Sequence, residues 1–449
     1  MKIRTVVLML LLVPVFVFSQ TVHQVEAGKN VISAALAGAA EGDIIELTTS
    51  GGVYQESDAL RITFGVTFRA AEGLAEKPVV VNVDTLKTVF YISEDLGFAD
   101  NWWLKLDGIR FDAMNIVGTD TTKVRNIFAV EETATDYSLS ANDCVFENTA
   151  DKVMVPSETS QADSVMFTNC LFQHIGSNAL FFRVWGGGAA PGSVRYFHIE
   201  DCTFFDINGL SFDVSAHNNA APPYPQIFIN HVTIYKQYMN AWWNSNVKGE
   251  GVVKNVILHM PEENGTGLRG FIGIQMGHCL YGPNCMIEIK DGSTEIDSAS
   301  FISLTDPLFV DAANGDLRLY SNSPAIGAAD DGGNLGDRNW DVVENTAVEK
   351  NTFAAPAEFS LQQNYPNPFN PSTQIAYTLD RTSAVHMDVY DALGRRVASL
   401  VNAEQQAAGH YSVEWNGTDM NGNSVSSGVY FTRLQSNGQV KIIKMVLMK

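Results

Sequence analysis

The chain is poor in cysteine, in basic residues and in long apolar runs, and each scarcity removes a class of protein. Five cysteines among 449 residues cannot staple a disulfide scaffold, and none forms a CxxC pair with metal-site spacing. Cys279 and Cys285, in GHCLYGPNC, are close enough to form a loop-closing disulfide in an oxidising compartment or to stay as two buried thiols, and their spacing leaves both open. The apolar run from Val6 to Phe18, after Lys2 and Arg4, is shorter than the ~20 residues a membrane-spanning helix needs. With Ser19 behind it, residues 1–19 read as a signal peptide. No later segment is apolar enough to cross a bilayer, so a mature protein without a membrane span is expected.

Basic residues number 29 against 50 acidic ones, a formal charge of -21. The deficit is local. Residues 357–449 hold seven of each sign, and the signal peptide takes two more basic residues, which leaves 20 basic against 43 acidic residues in the body. Such a body repels nucleic acid and anionic membranes and favours neutral ligands, cations, or anions bridged by a divalent metal. No nucleic-acid partner is expected, and the chain is expected to be a monomer. The length exceeds what one ordinary core organises, so at least two folded units are implied.

What the sequence does have is repetition. After the signal peptide, Val31, Ile32, Ala35, Leu36 and Ala39 fall on one helical face, Gly42 ends the helix, and Ile44 to Leu47 begin a strand. A short helix of this kind caps the open end of a strand stack. Then follow LKLDGIRFDAMN, LSANDCVFENTA, VMFTNCLFQHIG, FHIEDCTFFDIN, IFINHVTIYKQY and VVKNVILHM. Each alternates apolar residues up to an Asn or Asp and resumes just after it. Taking Ile109, Cys144, Cys170, Cys202, Val232 and Val256 as equivalent gives spacings of 35, 26, 32, 30 and 24, as in solenoid coils with unequal loops. The units are rich in Val, Ile, Phe and Thr at period two, which makes them strands. The three aligned cysteines read as small core residues, against the alternative of a metal site that no histidine joins.

These features resemble the right-handed parallel β-helix of the pectin-lyase-like superfamily over residues 22–340. The helix with EGDIIEL is similar to that family's usual start, and DPLFVDAANGDLRLYSNSPAIGAA is similar to its usual close. The expected fold is therefore all-β: a capped parallel β-helix over residues 20–340, a linker over 341–358 and a small Ig-like β-sandwich over 359–449. In the last segment NYPNPFNPST, VYDALGRRV, WNGTDMNG, SGVYFTRL and a basic end occur in order. This resembles the type A C-terminal sorting domain of the type IX secretion system. The resemblance implies a secreted or outer-membrane-surface protein whose terminal domain is recognised by the secretion machinery and then cut off or exchanged for an anchor.

A flat solenoid face can hold a polymer chain, so a polysaccharide is the expected partner. Sugars are gripped by aromatic faces, and Trp185 in RVWGGG, Trp242 and Trp243 in NAWWNSN, and the pair Trp102 and Trp103 are the candidate platforms; packing beneath long loops is their alternative role. In the alginate and chondroitin lyases of this fold a Lys acts as base and an Arg as acid, one coil apart. Lys248 and Arg269 stand in that order here, in NSNVKGEGVVKNV and NGTGLRGFIG, as the implied catalytic pair for β-elimination on an acidic glycan. Ca²⁺ is the cation that such chemistry often uses. Those lyases carry acidic metal ligands just before the Lys, whereas NAWWNSN precedes Lys248 and Glu250 follows it, so the metal stays unknown. Asp201, Asp206 and Asp213 with His217 offer a hydrolase-type arrangement on one face, although the Asp-Asp pair and Gly-His motif of pectin hydrolases are missing, and Asp201 also fits a turn. His174 and His231 fall inside repeat units as turn or core residues. The expectation is a polysaccharide-interacting β-helix protein, either a lyase or a noncatalytic glycan-binding or cell-coat protein.

Overall fold

A computed structural model describes residues 20–448 except 83–87, 94–102, 114–125, 132–133, 156–159, 184–193, 210, 216–224, 238–246, 261–267, 270, 283, 286, 289–296, 346–358, 365–366, 407–408 and 421. The signal-peptide reading thus lies outside the described residues.

The repeats become coils because each bends at a residue in the left-handed backbone region. Gly108, Asp143, Asn169, Asp201, His231, Asn255 and His278 have φ between 50° and 70°, a conformation that Gly, Asn, Asp and His tolerate best. Directly after them come Ile109, Cys144, Cys170, Cys202, Val232, Val256 and Cys279, each at most 1% exposed. Cys202, Val232, Val256 and Cys279 are successive parallel partners. Below them, Val145 N, Leu171 N and Thr203 N donate to the carbonyls of Ile109, Cys144 and Cys170. The six expected rungs stack, and Cys279 is a seventh.

Three parallel sheets result. The first runs through Ile44–Leu47, Val66–Ala70, Trp103–Asp107, Thr135–Asn142 and Gln161–Thr168. The second runs through Val53–Glu56, Val79–Asn82, Arg110–Asp112, Val145–Glu147 and Leu171–Ile175. Val194–Ile207, Gln226–Gln237, Val247–His259 and Phe271–Tyr281 each bend at the left-handed residue and join both. The third comprises Leu60–Ile62, Phe90–Ile92, Phe128–Val130, Met154–Val155, Leu180–Arg183 and Phe212–Ser215. This is a right-handed parallel β-helix. Inside it, Phe111, Phe146, Phe172 and Phe204 form one column with ring centroids 5.4, 5.1 and 4.6 Å apart. Each stacked pair adds about 0.5–1.5 kcal/mol beyond the area it buries.

The helix Val31–Ala37 buries Ile32 and Leu36 against the first coil. Its N-terminus is held by Glu56, whose carboxylate accepts from Ile32 N and Ser33 N. Burial raises the Glu56 carboxyl above its ordinary range, and these bonds partly offset the shift.

The flank of the later coils is covered by the chain that follows them. Strands Phe309–Asp311 and Asp316–Tyr320 and the following segment lie on the outer surface of the second sheet. There Ile257 and Leu280 are buried with Leu319, Ala325, Ala329 and Leu335, and Phe205 and Tyr235 with Leu317. From Ala328 to Trp340 the chain straps across the left-handed corners in reverse order. His278 bonds Ala328 O, and Lys254 and Asn255 bond Asp330. His231 meets Asp331 and Gly336 O, and Arg338 makes a two-pronged pair with Asp201. Asn339 reaches Asn169. Gly336, at φ 80°, sits so close that a Cβ would meet Thr233 Oγ1 at 2.5 Å. Asp337 is buried and accepts from Thr203 Oγ1 at 2.7 Å and Asn339 N at 2.9 Å. Burial pushes its carboxyl up to about 6.

The C-terminal unit is an Ig-like sandwich of a three-stranded and a four-stranded antiparallel sheet around Trp415, Tyr377, Ile375, Met387 and Leu434. The segment from Asn367 to Phe369 covers part of its last edge strand: Phe369 N donates to Val446 O, Met448 N to Phe369 O, and Asn367 Nδ2 to Lys444 O.

Candidate functional site

Outward positions of the first sheet line up coil by coil. Ser164, Tyr196, Gln226 and Glu250 form one row, and Met166, His198, Phe228 and Val252 the next. Asn142, Thr168, Glu200, Asn230 and Lys254 form a third row beside the corner. Alternation along each strand sends these side chains out while Phe197, Ile199, Ile227 and Ile229 fill the core.

Tyr196 stands out of this surface at 54% exposure, the sole aromatic among the exposed large hydrophobic residues described. Beside it the His198 ring lies against Phe228 with centroids 4.5 Å apart. His198 Nε2 is 3.3 Å from Glu200 Oε2, and Glu200 also accepts from Asn230 Nδ2 at 2.9 Å. Gln226 Nε2 donates to Glu250 Oε2 at 2.7 Å. Arg195, next to Tyr196, is claimed by Asp136 and Asp163. The result is a flat aromatic patch edged by acceptor groups, a surface fitted to ring stacking and hydroxyl binding.

The residues expected from sequence relate to this surface unequally. Lys248 lies at the start of Val247–His259, two residues before Glu250, and pairs with Ile272 across a register irregularity that ends at Gly251. Arg269 lies one coil on and three residues before Ile272, in a two-stranded sheet where it pairs with Glu288. The two positions thus belong to different sheets, Lys248 to the first and Arg269 to the two-stranded one. Trp185, Trp242 and Trp243 fall outside the described residues, in segments that lead into strands of the first sheet. Trp102 falls outside them too, whereas Trp103 is half-buried at the early end of the same sheet, with Lys105 Nζ 5.8 Å from its ring centroid.

Other candidates are displaced. Asp201, Asp206 and Asp213 do not share a face: Asp201 is a left-handed corner residue tied to Arg338, Asp206 is a second-corner residue between His174 and Lys236, and Asp213 belongs to the third sheet. His217 lies outside the described residues. His174 and His231 are corner residues with positive φ, as turn residues should be. Cys279 and Cys285 correct the disulfide candidate: both are free and buried, with Sγ donating to Gly277 O and Leu258 O. Burial pushes both thiols up to about 12, so neither is poised to react. Cys279 is committed to the rung column, which points it into the core. Among the described residues no group of three His, Cys, Asp or Glu is placed to hold a metal.

Sequence reasoning passed over Tyr196, His198 and Glu200. Their signal was period-two spacing in VRYFHIE, which puts all three on the face opposite Phe197 and Ile199.

Residues 370–439 match the FlgD Ig-like domain family. Among solved structures, the chain is similar to the PL6 family alginate lyase AlyGC, with 17% identity, 62% of this chain and 40% of the lyase covered, and a TM-score of 0.40. It is similar to FLGD from P. aeruginosa at 32% identity, over 17% of this chain and 59% of that one, with a TM-score of 0.15. PorZ, a surface component of the type-IX secretion system of Porphyromonas gingivalis, is 18% identical over 27% of this chain and 14% of its own, with a TM-score of 0.17. No curated protein matches the chain. The chain spans less than half the length of the lyase it resembles. The terminal unit is matched as an Ig-like domain of the FlgD type, where the sequence motifs had pointed to a sorting domain.

Proposed function

We propose that this is an exported polysaccharide-interacting protein whose solenoid binds a glycan on the outer surface of the first sheet and whose terminal sandwich is a sorting domain for type IX secretion, giving a secreted or cell-surface location. The glycan reading is carried by Tyr196: a solvent-facing aromatic ring on a flat parallel sheet, with His198, Phe228 and Gln226 in adjacent register. A sugar ring can lie on such a platform while its hydroxyls bond the polar row beside it. Affinity electrophoresis of the full chain in gels containing a panel of polysaccharides tests this. Retardation by at least one polymer is expected, reduced about tenfold by Tyr196→Ala, since one lost stacking contact is worth on the order of 1–1.5 kcal/mol. Migration unaffected by every polymer would defeat it. The sorting reading rests on the ordered motifs from NYPNPFNPST onward, and removal of residues 359–449 should leave the protein inside the exporting cell.

A second reading, β-elimination, is supported by the order of Lys248 and Arg269 in the chain, Lys248 opening one strand of the first sheet and Arg269 standing just before the next, Phe271–Tyr281. In it Lys248 removes the proton beside a uronate carboxylate and Arg269 serves the leaving oxygen. Incubation with uronate polymers, with and without Ca²⁺, should then generate unsaturated ends that absorb in the ultraviolet. Lys248→Ala should abolish them, and persistence of the signal in that variant would remove Lys248 from the chemistry.

A further inference from the structure

We infer that the platform around Tyr196 takes a neutral, hydroxyl-rich glycan and rejects polyuronates, a specificity that rests on the glycan-binding reading above. The argument is one of charge and of hydrogen-bond sense. Asp136, Asp163, Glu200, Asp201 and Glu250 lie within one or two coils of Tyr196, and the guanidiniums among them, Arg195 and Arg338, are already engaged. Arg195 is held by Asp136 and Asp163, and Arg338 by Asp201 with Glu200 at 3.5 Å. The next cation of the row, Lys254, is spent on Asp330 at 2.6 Å. Adding Lys248, two residues from Glu250, does not bring the cations level with the carboxylates.

A carboxylate accepts hydrogen bonds and donates none. Glu200 lies four residues along the strand from Tyr196 and Glu250 two strands across from it, so a ligand that extends from the ring over either row meets carboxylate acceptors. Sugar hydroxyls do. A uronate carboxylate offers no hydrogen and brings a like charge, and like charges a few ångströms apart at a protein surface cost on the order of a tenfold factor in binding or more. The uncharged groups of the surface, Gln226, Asn230 and Thr168, are likewise suited to hydroxyls. His198 has its Nε2 turned to Glu200, and its ring packs beside Phe228 next to the Tyr196 row.

The test uses the full chain in gels containing glucomannan, arabinoxylan or laminarin, and in parallel alginate or polygalacturonate, each at low and high salt and with and without Ca²⁺. The expected result is retardation by a neutral polymer, insensitive to salt and weakened about tenfold by Tyr196→Ala, with no retardation by the uronates. Glu250→Lys should create salt-sensitive binding of alginate. Tyr196-dependent binding of a uronate by the unaltered chain, with or without Ca²⁺, would overturn the specificity while sparing the glycan reading. Absence of Tyr196-dependent binding to any polymer would overturn both. Failure of Glu250→Lys to gain alginate binding would show that charge does not set the choice, and would likewise overturn the inference.

Discussion

Along the second sheet one outward position can be followed from coil to coil, and it changes character halfway. In the early coils it holds Arg110, Val145 and Leu171, exposed or half-buried. In the later ones the partners in register are Thr203, Thr233, Ile257 and Leu280, all buried. The row beside it changes from polar to aromatic, from Glu147 and Gln173 to Phe205 and Tyr235. The backbone is the same in both halves. What differs is the cover: residues 309–340 lie over the later coils. Coil geometry decides which side chains point outward, and the cover decides whether an outward position must be apolar.

Paired substitutions at this position give the sharpest way to break the comparison. Ile257→Lys places an unpaired ammonium under the cover and should destabilise the protein by about 3–5 kcal/mol, whereas Leu171→Lys on the bare half should cost under about 1 kcal/mol. Urea unfolding of the two variants reads the difference, and equal losses would mean that the cover does not discriminate.

A smaller effect comes from Asp337 under the strap. Its folded carboxyl titrates near 6, above the ordinary carboxylate value, because burial disfavours the charge, with Asp201 nearby adding to the shift and bonds from Asn339 N and Thr203 opposing it. The folded state therefore holds the proton more tightly than the unfolded chain. The associated stability is complete below about pH 4 and lost as pH rises through about 6, on the order of 2–3 kcal/mol. Asp337→Asn should flatten this slope in a series of thermal melts, leaving the remaining carboxylates to set the profile. An unchanged slope would assign it elsewhere.

The smallest effect should come from Arg338→Ala. Its pair with Asp201 is two-pronged but 45% exposed on the arginine side, so a loss of about 1 kcal/mol or less is expected, shrinking further in high salt. A loss as large as that of Ile257→Lys would show that the strap is held by charge more than by apolar contact.

The coil corners were legible in the sequence because a left-handed residue followed by a small apolar one is a local constraint, visible as DGI, NDC, TNC, EDC, NHV and KNV. GHC belongs to the same set, but the nearby Cys285 drew Cys279 toward a disulfide instead. The cap was legible for the same local reason, through the apolar face of Val31–Ala37. The cover was not: Leu317, Leu335 and Trp340 lie outside the repeat, and nothing in their own spacing tells that Ile257 or Tyr235 waits beneath them. Glu56 as the partner of the helix N-terminus, and Asp337 as a buried acid, are contacts between distant segments and were equally invisible. At the candidate site, attention to tryptophan hid Tyr196, although the alternation in VRYFHIE had already turned that ring outward.

The strap also imposes an order of events. Residues 328–339 fasten corners that the ribosome made long before, from His278 back to Asn169. As the polypeptide emerges from its amino end, coils that contain Ile257 and Leu280 exist with their oily outer positions uncovered until residues 309–340 arrive. A nascent or truncated chain that stops before Leu335 would therefore be the adhesive form of this molecule, and completion of translation past Trp340 is what makes its flank wettable.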